Sequence, residues 1–236
     1  MEKRNVPAQD AITTPKAWPL TKAQWTLYYW LLAHSKWNSF NNESHYYIYK
    51  NSFTNTKIMK ETGIKSPQTM TAAFKKLIEV GAIETSPFHD GAYLIHVTHL
   101  YVPMSVGVLR YLLAFNAYLD PALLITTFAI LARLAILERN KPIDFTKALL
   151  GKLLGLAKQH IDDKGLLLVL AVLEHSELIK LNKVTYTNQL GQNCVRYTLV
   201  KVDTEGRLVE AMLNEEEEMP ESEVLSIWQK ILNVKL

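Results

Sequence analysis

The first 50 residues carry the pattern of one helix followed by one strand. Thr21 and Gln24 form a capping box, in which each side chain satisfies the other's backbone N–H, so we predict a helix over about residues 22–36. The run HYYIYK at 45–50 is aromatic and β-branched, which predicts a short strand. The helix residues predicted to face a core are Leu27, Tyr28, Leu31 and Leu32.

Two further helices and a hairpin follow. Thr54 suits the N-cap of the second helix, and Gly63 suits its end, where left-handed backbone is needed. Ser66 suits the N-cap of the third helix, which is predicted to end at Gly81. Two strand-like runs then flank Asp90-Gly91, which predicts a hairpin.

The third helix has an apolar face and a polar face. Its predicted core residues, at helical spacing, are Met70, Ala73, Phe74, Leu77 and Ile78. The opposite face offers an amide, a hydroxyl and a methyl for base edges in the DNA major groove, and lysines and a helix N-terminus for phosphates. An ordinary solvated helix face is the alternative. The candidate DNA-binding residues here are Lys65, Ser66, Gln68, Thr69, Ala72, Lys75 and Lys76.

The segment TNTKIMKETGIKSPQTMTAAFKKLIEVGAIE at 54–84 resembles a winged helix-turn-helix. The matching features are a short helix, a Gly-Ile turn, a Ser-capped recognition helix and a Gly-x-Ile sequence before the wing. The resemblance covers about residues 20–100. It implies that the third helix contacts double-stranded DNA in the major groove.

The second half of the chain repeats part of this pattern. Phe145-Thr146 precede Gly155-Leu156 by ten residues, the spacing that separates Phe53-Thr54 from Gly63-Ile64. We interpret the repeat as a second, diverged winged helix. Coincidence is the alternative, because helices of about ten residues that end at glycine are common.

A longer wing is predicted in this second unit. The runs 178–187 and 194–202 flank a turn that contains Gly191, and two apolar helices are predicted before the unit, at roughly 106–119 and 121–139. The helix before the wing, KGLLLVLAVLEHSEL, is apolar all round, and a helix with no polar face belongs inside a fold or an interface. The second unit therefore suits self-association or partner docking, and we expect a homodimer. The wing residues that suit phosphate contact are Lys180, Lys183 and Arg196.

Charge is distributed unevenly along the chain. The net charge of +3 combines −8 on residues 203–223 with +2 beyond them, which leaves +9 on residues 1–202. A basic body with an acidic segment favours a polyanionic partner for the body, although a solvated surface with a solubilising tail fits the charges equally well.

The last residues predict a short amphipathic helix at 224–236. A helix of this length is marginal alone in water, so it must dock on its own chain, on a second copy or on a partner such as a replication protein. The candidate partner-binding residues are Leu225, Trp228, Ile231 and Leu232.

Catalytic and membrane functions find little support in the sequence. His96 and His99 lie three apart on a predicted strand and therefore face opposite ways, and Asp162-Asp163 suits a helix cap better than a metal site. The chain has one cysteine, Cys194, and no phosphate-binding Gly-rich loop with Lys-Ser/Thr. We therefore expect a cytoplasmic protein that is not an enzyme and needs no metal or cofactor, with no membrane span.

The predicted fold is mainly α with small β wings: tandem winged-helix domains plus a short C-terminal helix. This arrangement resembles phage and plasmid replication initiators and primosomal replisome-organiser proteins. It implies a sequence-specific DNA-binding protein in replication initiation; a transcriptional regulator and a protein-interaction scaffold are the alternatives. The predicted segments are a flexible arm at 1–19, domains at 20–102 and 103–202, an acidic linker at 203–223 and the helix at 224–236.

Overall fold

The computed structural model describes residues 3–7, 18, 20–40, 43–87, 89–97, 101–154, 163–213 and 219–233. In these residues the chain is a mixed α/β fold with small antiparallel sheets. Its helices are α1 (Lys22–His34), α2 (Asn55–Thr62), α3 (Pro67–Glu79), α4 (Val106–Ala114), α5 (Pro121–Leu137), α6 (Lys147–Leu153), α7 (Asp163–His175), α8 (Arg207–Ala211) and α9 (Glu221–Asn233). Its strands are β1 (Lys3–Pro7), β2 (Lys36–Phe40), β3 (Glu43–Tyr49), β4 (Ile83–Thr85), β5 (Ala92–Ile95), β6 (Tyr101–Ser105), β7 (Ile143–Phe145), β8 (Ile179–Thr187) and β9 (Asn193–Val202).

Helix α1 is the centre of the molecule. The sequence predicts one buried stripe on this helix, but every side chain from Trp25 to Ala33 is buried. The reason is that four helices, α2, α3, α4 and α5, pack against α1. One continuous hydrophobic core therefore runs through both predicted domains. The domain boundary itself stays a prediction.

Local capping residues set the helix starts as predicted. The backbone N–H of Thr21 donates to Gln24 Oε1 at 2.7 Å, and the hydroxyl of Thr54 accepts from the N–H of Lys57 at 3.2 Å. Gly63 ends α2 in the left-handed region, with φ +70°. The predicted hairpin is also present, as β4 and β5 pair in antiparallel fashion across the Asp90-Gly91 turn.

The two halves of the chain pair their strands in the same way. In the first sheet, of order β2-β3-β5-β4, the strand before α2 pairs with the second strand of the hairpin after α3. In the three-stranded sheet, of order β7-β9-β8, the strand before α6 pairs in the same way with the second strand of the hairpin after α7. The first sheet has β2 as an additional edge strand, which the sequence analysis did not predict.

The structure shortens the helix predicted at 106–119 and leaves part of the repeat open. The helix predicted at 106–119 ends at Ala114 and continues as a 3-10 turn, Phe115–Ala117. The hydroxyl of Thr146 caps α6 by accepting from the N–H of Leu149 at 3.2 Å. Gly155-Leu156, the second half of the proposed echo, lies outside the described residues.

The N-terminal segment contributes a strand to the body. Residues 3–7, which fall within the expected flexible arm, form β1 and pair with β6. Arg4 is 2% exposed, and its guanidinium donates to the carbonyl of Ser35 and lies 5.4 Å from the ring centre of Tyr46. Residues 8–17 of the expected arm lie outside the described residues.

The acidic segment and the C-terminal helix also contact the body. Within the expected linker at 203–223, Gly206 lies against α4 and Val209 of α8 is fully buried. Helix α9 begins at Glu221, three residues before its predicted start, and packs on α7. The amphipathic helix therefore docks on its own chain, which was one of the alternatives. In the part of the chain that the structure describes, no helix has the length and apolar character needed to cross a membrane.

Candidate nucleic-acid interface

The outer face of α3 is open to solvent. Its candidate base-reading side chains, Gln68, Thr69 and Ala72, are exposed, as are Lys65 and Lys75. The inner face is closed, because Met70, Ala73 and Leu77 pack into the core. Helix α3 therefore presents its polar groups outward from a rigid base.

A small hydrogen-bond network organises the start of α3. The hydroxyl of Ser66 accepts from the backbone N–H of Thr69 at 3.2 Å and donates to Gln68 Oε1 at 2.9 Å. The Gln68 amide oxygen is thus occupied, while its NH₂ group can still donate to an acceptor such as a guanine or adenine N7. The sequence indicated the Ser66 cap but not this contact with Gln68.

The three lysines of the face are not equivalent. The ammonium of Lys76 donates to Glu79 Oε1 at 2.8 Å, and this lysine is half-buried. Lys65 and Lys75 are exposed. A phosphate contact by Lys76 would first have to break its pair with Glu79, so Lys65 and Lys75 are the better phosphate ligands of this face.

Phe74 of α3 packs between two other aromatic rings. Phe74 lies 6.3 Å from Phe53 and 5.9 Å from Tyr93, measured between ring centres. Ile78, by contrast, was predicted to belong to the buried stripe and is 47% exposed. Ile78 lies about 100° around the helix from the buried Leu77, at the edge of the buried face. Ile78 therefore adds an apolar group to the outer surface.

The second wing distributes its basic residues over both faces of a hairpin. Lys183 lies opposite Tyr197 and Arg196 lies opposite Val184, so adjacent positions along the ladder put the two cations on opposite faces. Lys183 pairs with Glu174 of α7 at 3.3 Å, and Arg196 lies 3.7 Å from Asp144. Lys180 is exposed. The three candidate residues of this wing therefore do not form one basic surface.

The first wing carries no lysine or arginine, as the sequence indicates. Its His89 stacks on Tyr47, with 4.0 Å between ring centres. This contact holds the wing against β3.

A polar cluster that the sequence analysis missed joins α2 to α1. The carboxylate of Glu61 accepts from Trp30 Nε1 at 2.7 Å and lies 3.3 Å from His34 Nε2 and 3.6 Å from Lys57 Nζ. Burial raises the pKa of Glu61, but the hydrogen bonds from His34 and Trp30 and the charges of His34 and Lys57 outweigh burial, so its pKa lies below the usual 4.5. Lys57 precedes Glu61 by one helical turn, but Trp30 and His34 are distant in sequence, so no local pattern indicates that they join the cluster.

We expect the Glu61 cluster to make stability depend on pH. A folded-state pKa below the unfolded value means that the stabilisation is present above the unfolded pKa and is lost as pH falls through the folded pKa. The free energy of unfolding should therefore be higher for wild type than for Glu61→Gln near neutral pH. This difference should become smaller below about pH 4. Denaturant titrations at several pH values measure this. A gap that is constant with pH would contradict it.

Of the other chemical candidates, the structure describes the side chains of His96 and Cys194. His96 lies 3.1 Å from Glu84 through Nε2, whereas His99 and Asp162 lie outside the described residues. Cys194 is half-buried in β9. Over the described residues, no cluster of three or more His, Cys, Asp or Glu could hold a metal ion.

The candidate partner-binding residues of α9 divide into two groups. Ile231 is buried against the body, and Trp228 stacks on Tyr118 with 5.1 Å between ring centres. Leu225 and Leu232 remain exposed on the outer face. Docking on the chain itself thus uses part of the stripe that the sequence assigned to a partner.

Comparison of the chain with protein-family models, with curated proteins and with solved structures finds no significant match.

Proposed function

We propose that the chain is a sequence-specific double-stranded DNA-binding protein that acts in the initiation of replication of a phage, plasmid or mobile element. The observation that carries the proposal is the outer face of α3. A helix that is capped at its start and packed on one side presents an amide, a hydroxyl and Lys75 to solvent on the other, and the exposed Lys65 directly precedes its N-cap. These are the groups that read base edges and bind phosphates in the major groove.

The tandem arrangement is the second support for this proposal. Both units have a helix, a strand, two helices and a hairpin, and in both the strand before the helices pairs with the last strand. We propose that both are winged helices, and the role in replication rests on the resemblance of this arrangement to two-unit initiators. We expect the second unit to bind DNA more weakly than the first. Its Lys183 and Arg196 lie on opposite faces of the hairpin, and each is paired with an acidic residue.

Self-association and partner binding complete the proposal. We propose a homodimer, and a replication partner that binds the outer face of α9 through Leu225 and Leu232. The other two candidates, Trp228 and Ile231, contact the body. Light scattering of the purified chain tests the homodimer. A pull-down with Leu225 and Leu232 substituted tests the partner-binding site.

The salt dependence of DNA affinity tests the phosphate contacts. Each phosphate contact that is removed should make the slope of log K against log salt shallower by about one unit. We therefore expect Lys65→Ala combined with Lys75→Ala to reduce the slope for random duplex by about two units. Lys76→Ala should have a smaller effect, because Lys76 is paired with Glu79.

Lys230→Ala is the matched control for this titration. Lys230 is exposed on α9, and its replacement removes one positive charge, as each of the two substitutions in the test variant does, so its slope should equal that of wild type. Equal slopes for wild type and the Lys65/Lys75 variant would mean that these lysines are only solvated. Absence of any duplex binding would favour a protein-interaction scaffold instead.

A transcriptional regulator is the second candidate function, and one observation favours it. Such a protein needs a site for an effector, and a cavity of about 380 Å³ lies between α2, α4 and α9. Helix α2 precedes α3 directly and packs against it, so a ligand in this cavity would contact the DNA-binding unit itself.

A further inference from the structure

The cavity between α2, α4 and α9 has both aromatic and charged walls. Trp30 of α1 and Tyr118, which follows the 3-10 turn, line it together with apolar side chains of α4 and α9. Its volume of about 380 Å³ lies in the range of small-molecule sites. The charged or ionisable residues that line it are His34, Lys60, Glu61, Arg110 and Glu221.

The two acidic residues of the cavity are bound very differently. Glu61 accepts from Trp30 and lies beside Lys57 and His34, so the protein itself compensates its charge. Glu221 contacts Lys60 at 3.3 Å, and the side chains of this pair are 89% and 76% exposed. An ion pair this exposed stabilises little and exchanges easily with another anion.

Lys60 loses its carboxylate partner once Glu221 moves away, and it then faces the cavity from α2. Arg110 of α4 is also part of the lining. The apolar part of the lining, which includes Leu113, Ala114 and Val224, suits a ring system. A ligand that combines a ring with an anionic group fits both features.

We propose that this cavity binds a small organic anion with a planar ring system, whose anionic group replaces Glu221 as the partner of Lys60. Carboxylates, sulfonates and phosphates share this chemistry. Because Glu221 is the first residue of α9, the exchange releases the start of α9 from α2. The proposal is independent of DNA binding and is tested without DNA.

Two fluorescent probes with the same ring frame test the proposal. Anilinonaphthalene sulfonate carries an anionic group, and its analogue phenylnaphthylamine lacks it. We expect the full-length chain to bind the sulfonate about tenfold more tightly than the neutral analogue, and Lys60→Gln to abolish this preference. Glu221→Gln should tighten sulfonate binding about threefold, because it removes the competing carboxylate.

Matched variants separate a specific site from general charge effects. Glu223→Gln and Lys141→Gln make the same charge changes at exposed positions outside the cavity lining. Circular dichroism of each variant establishes that the fold is retained. Unchanged affinities in these two controls support the proposal. It is overturned if wild type binds both probes equally, or if the controls shift sulfonate binding as much as the cavity variants do.

Discussion

Replacing Gly206 with alanine is expected to lower the free energy of unfolding by about 3 kcal/mol. Gly206 has φ +65°, and a Cβ atom at this position would lie 2.1 Å from Cγ2 of Val108. Val108 is fully buried in α4 and its branched side chain has little rotational freedom, so it cannot move aside cheaply. The turn at 203–206 would have to withdraw from α4.

Gly81→Ala is the matched control for Gly206→Ala. Gly81 also has a positive φ, +72°, but an added Cβ would meet nothing within 4 Å. Its replacement should therefore cost only the backbone strain, about 1 kcal/mol. Denaturant unfolding of the two variants gives both values. Equal losses would mean that the turn does not pack on α4 as described.

Ile231→Ala is expected to weaken the docking of α9 by about 3 kcal/mol. Ile231 is 2% exposed, and α9 lies on α7 together with the buried Val224 and Ile227. Loss of a buried branched side chain removes apolar burial and leaves a cavity behind. Hydrogen exchange of the α9 backbone amides reports this loss as faster opening of the helix.

The next residue, Leu232, serves as the control on the same helix. Leu232 is 57% exposed, so Leu232→Ala should change the opening free energy of α9 by less than about 0.5 kcal/mol. A larger effect for Leu232→Ala than for Ile231→Ala would place the opposite face of α9 against the body. A helix that exchanges at the rate of an unfolded peptide in wild type would exclude docking altogether.

Features that depend on neighbouring residues could be predicted from the sequence. The caps at Thr54 and Ser66, the left-handed end at Gly63 and the Asp90-Gly91 hairpin all occur where their local patterns indicate. Each of these patterns satisfies backbone groups within four residues, so the signal and the structure lie in the same short segment. The outward face of α3 follows from the same helical periodicity.

Features that depend on distant contacts could not be predicted. Nothing near residues 3–7 indicates that this segment pairs with β6, because its partner lies about a hundred residues away. The burial of every α1 side chain from Trp25 to Ala33 depends on helices from both halves of the chain. The opposite orientations of Lys183 and Arg196 depend on the register of β8 and β9.

The residues of the candidate site could be predicted from the sequence, but their side-chain contacts could not. Sequence periodicity identifies the exposed residues of α3, yet the Gln68 contact to Ser66 and the Lys76 pair with Glu79 require side-chain positions. The Lys60–Glu221 pair joins segments that are far apart in the chain, and the cavity beside it follows from the docking of α9.

Selection of bound fragments from random duplex DNA tests the central claim most directly. Wild type should enrich a defined sequence, and Gln68→Ala should lose preference at one position of that sequence, worth about 1–3 kcal/mol, while keeping its circular dichroism spectrum. Lys75→Ala should weaken binding to all fragments alike and leave the enriched sequence unchanged. Failure to enrich any sequence, or an identical sequence with Gln68→Ala and Thr69→Ala, would contradict base reading by α3.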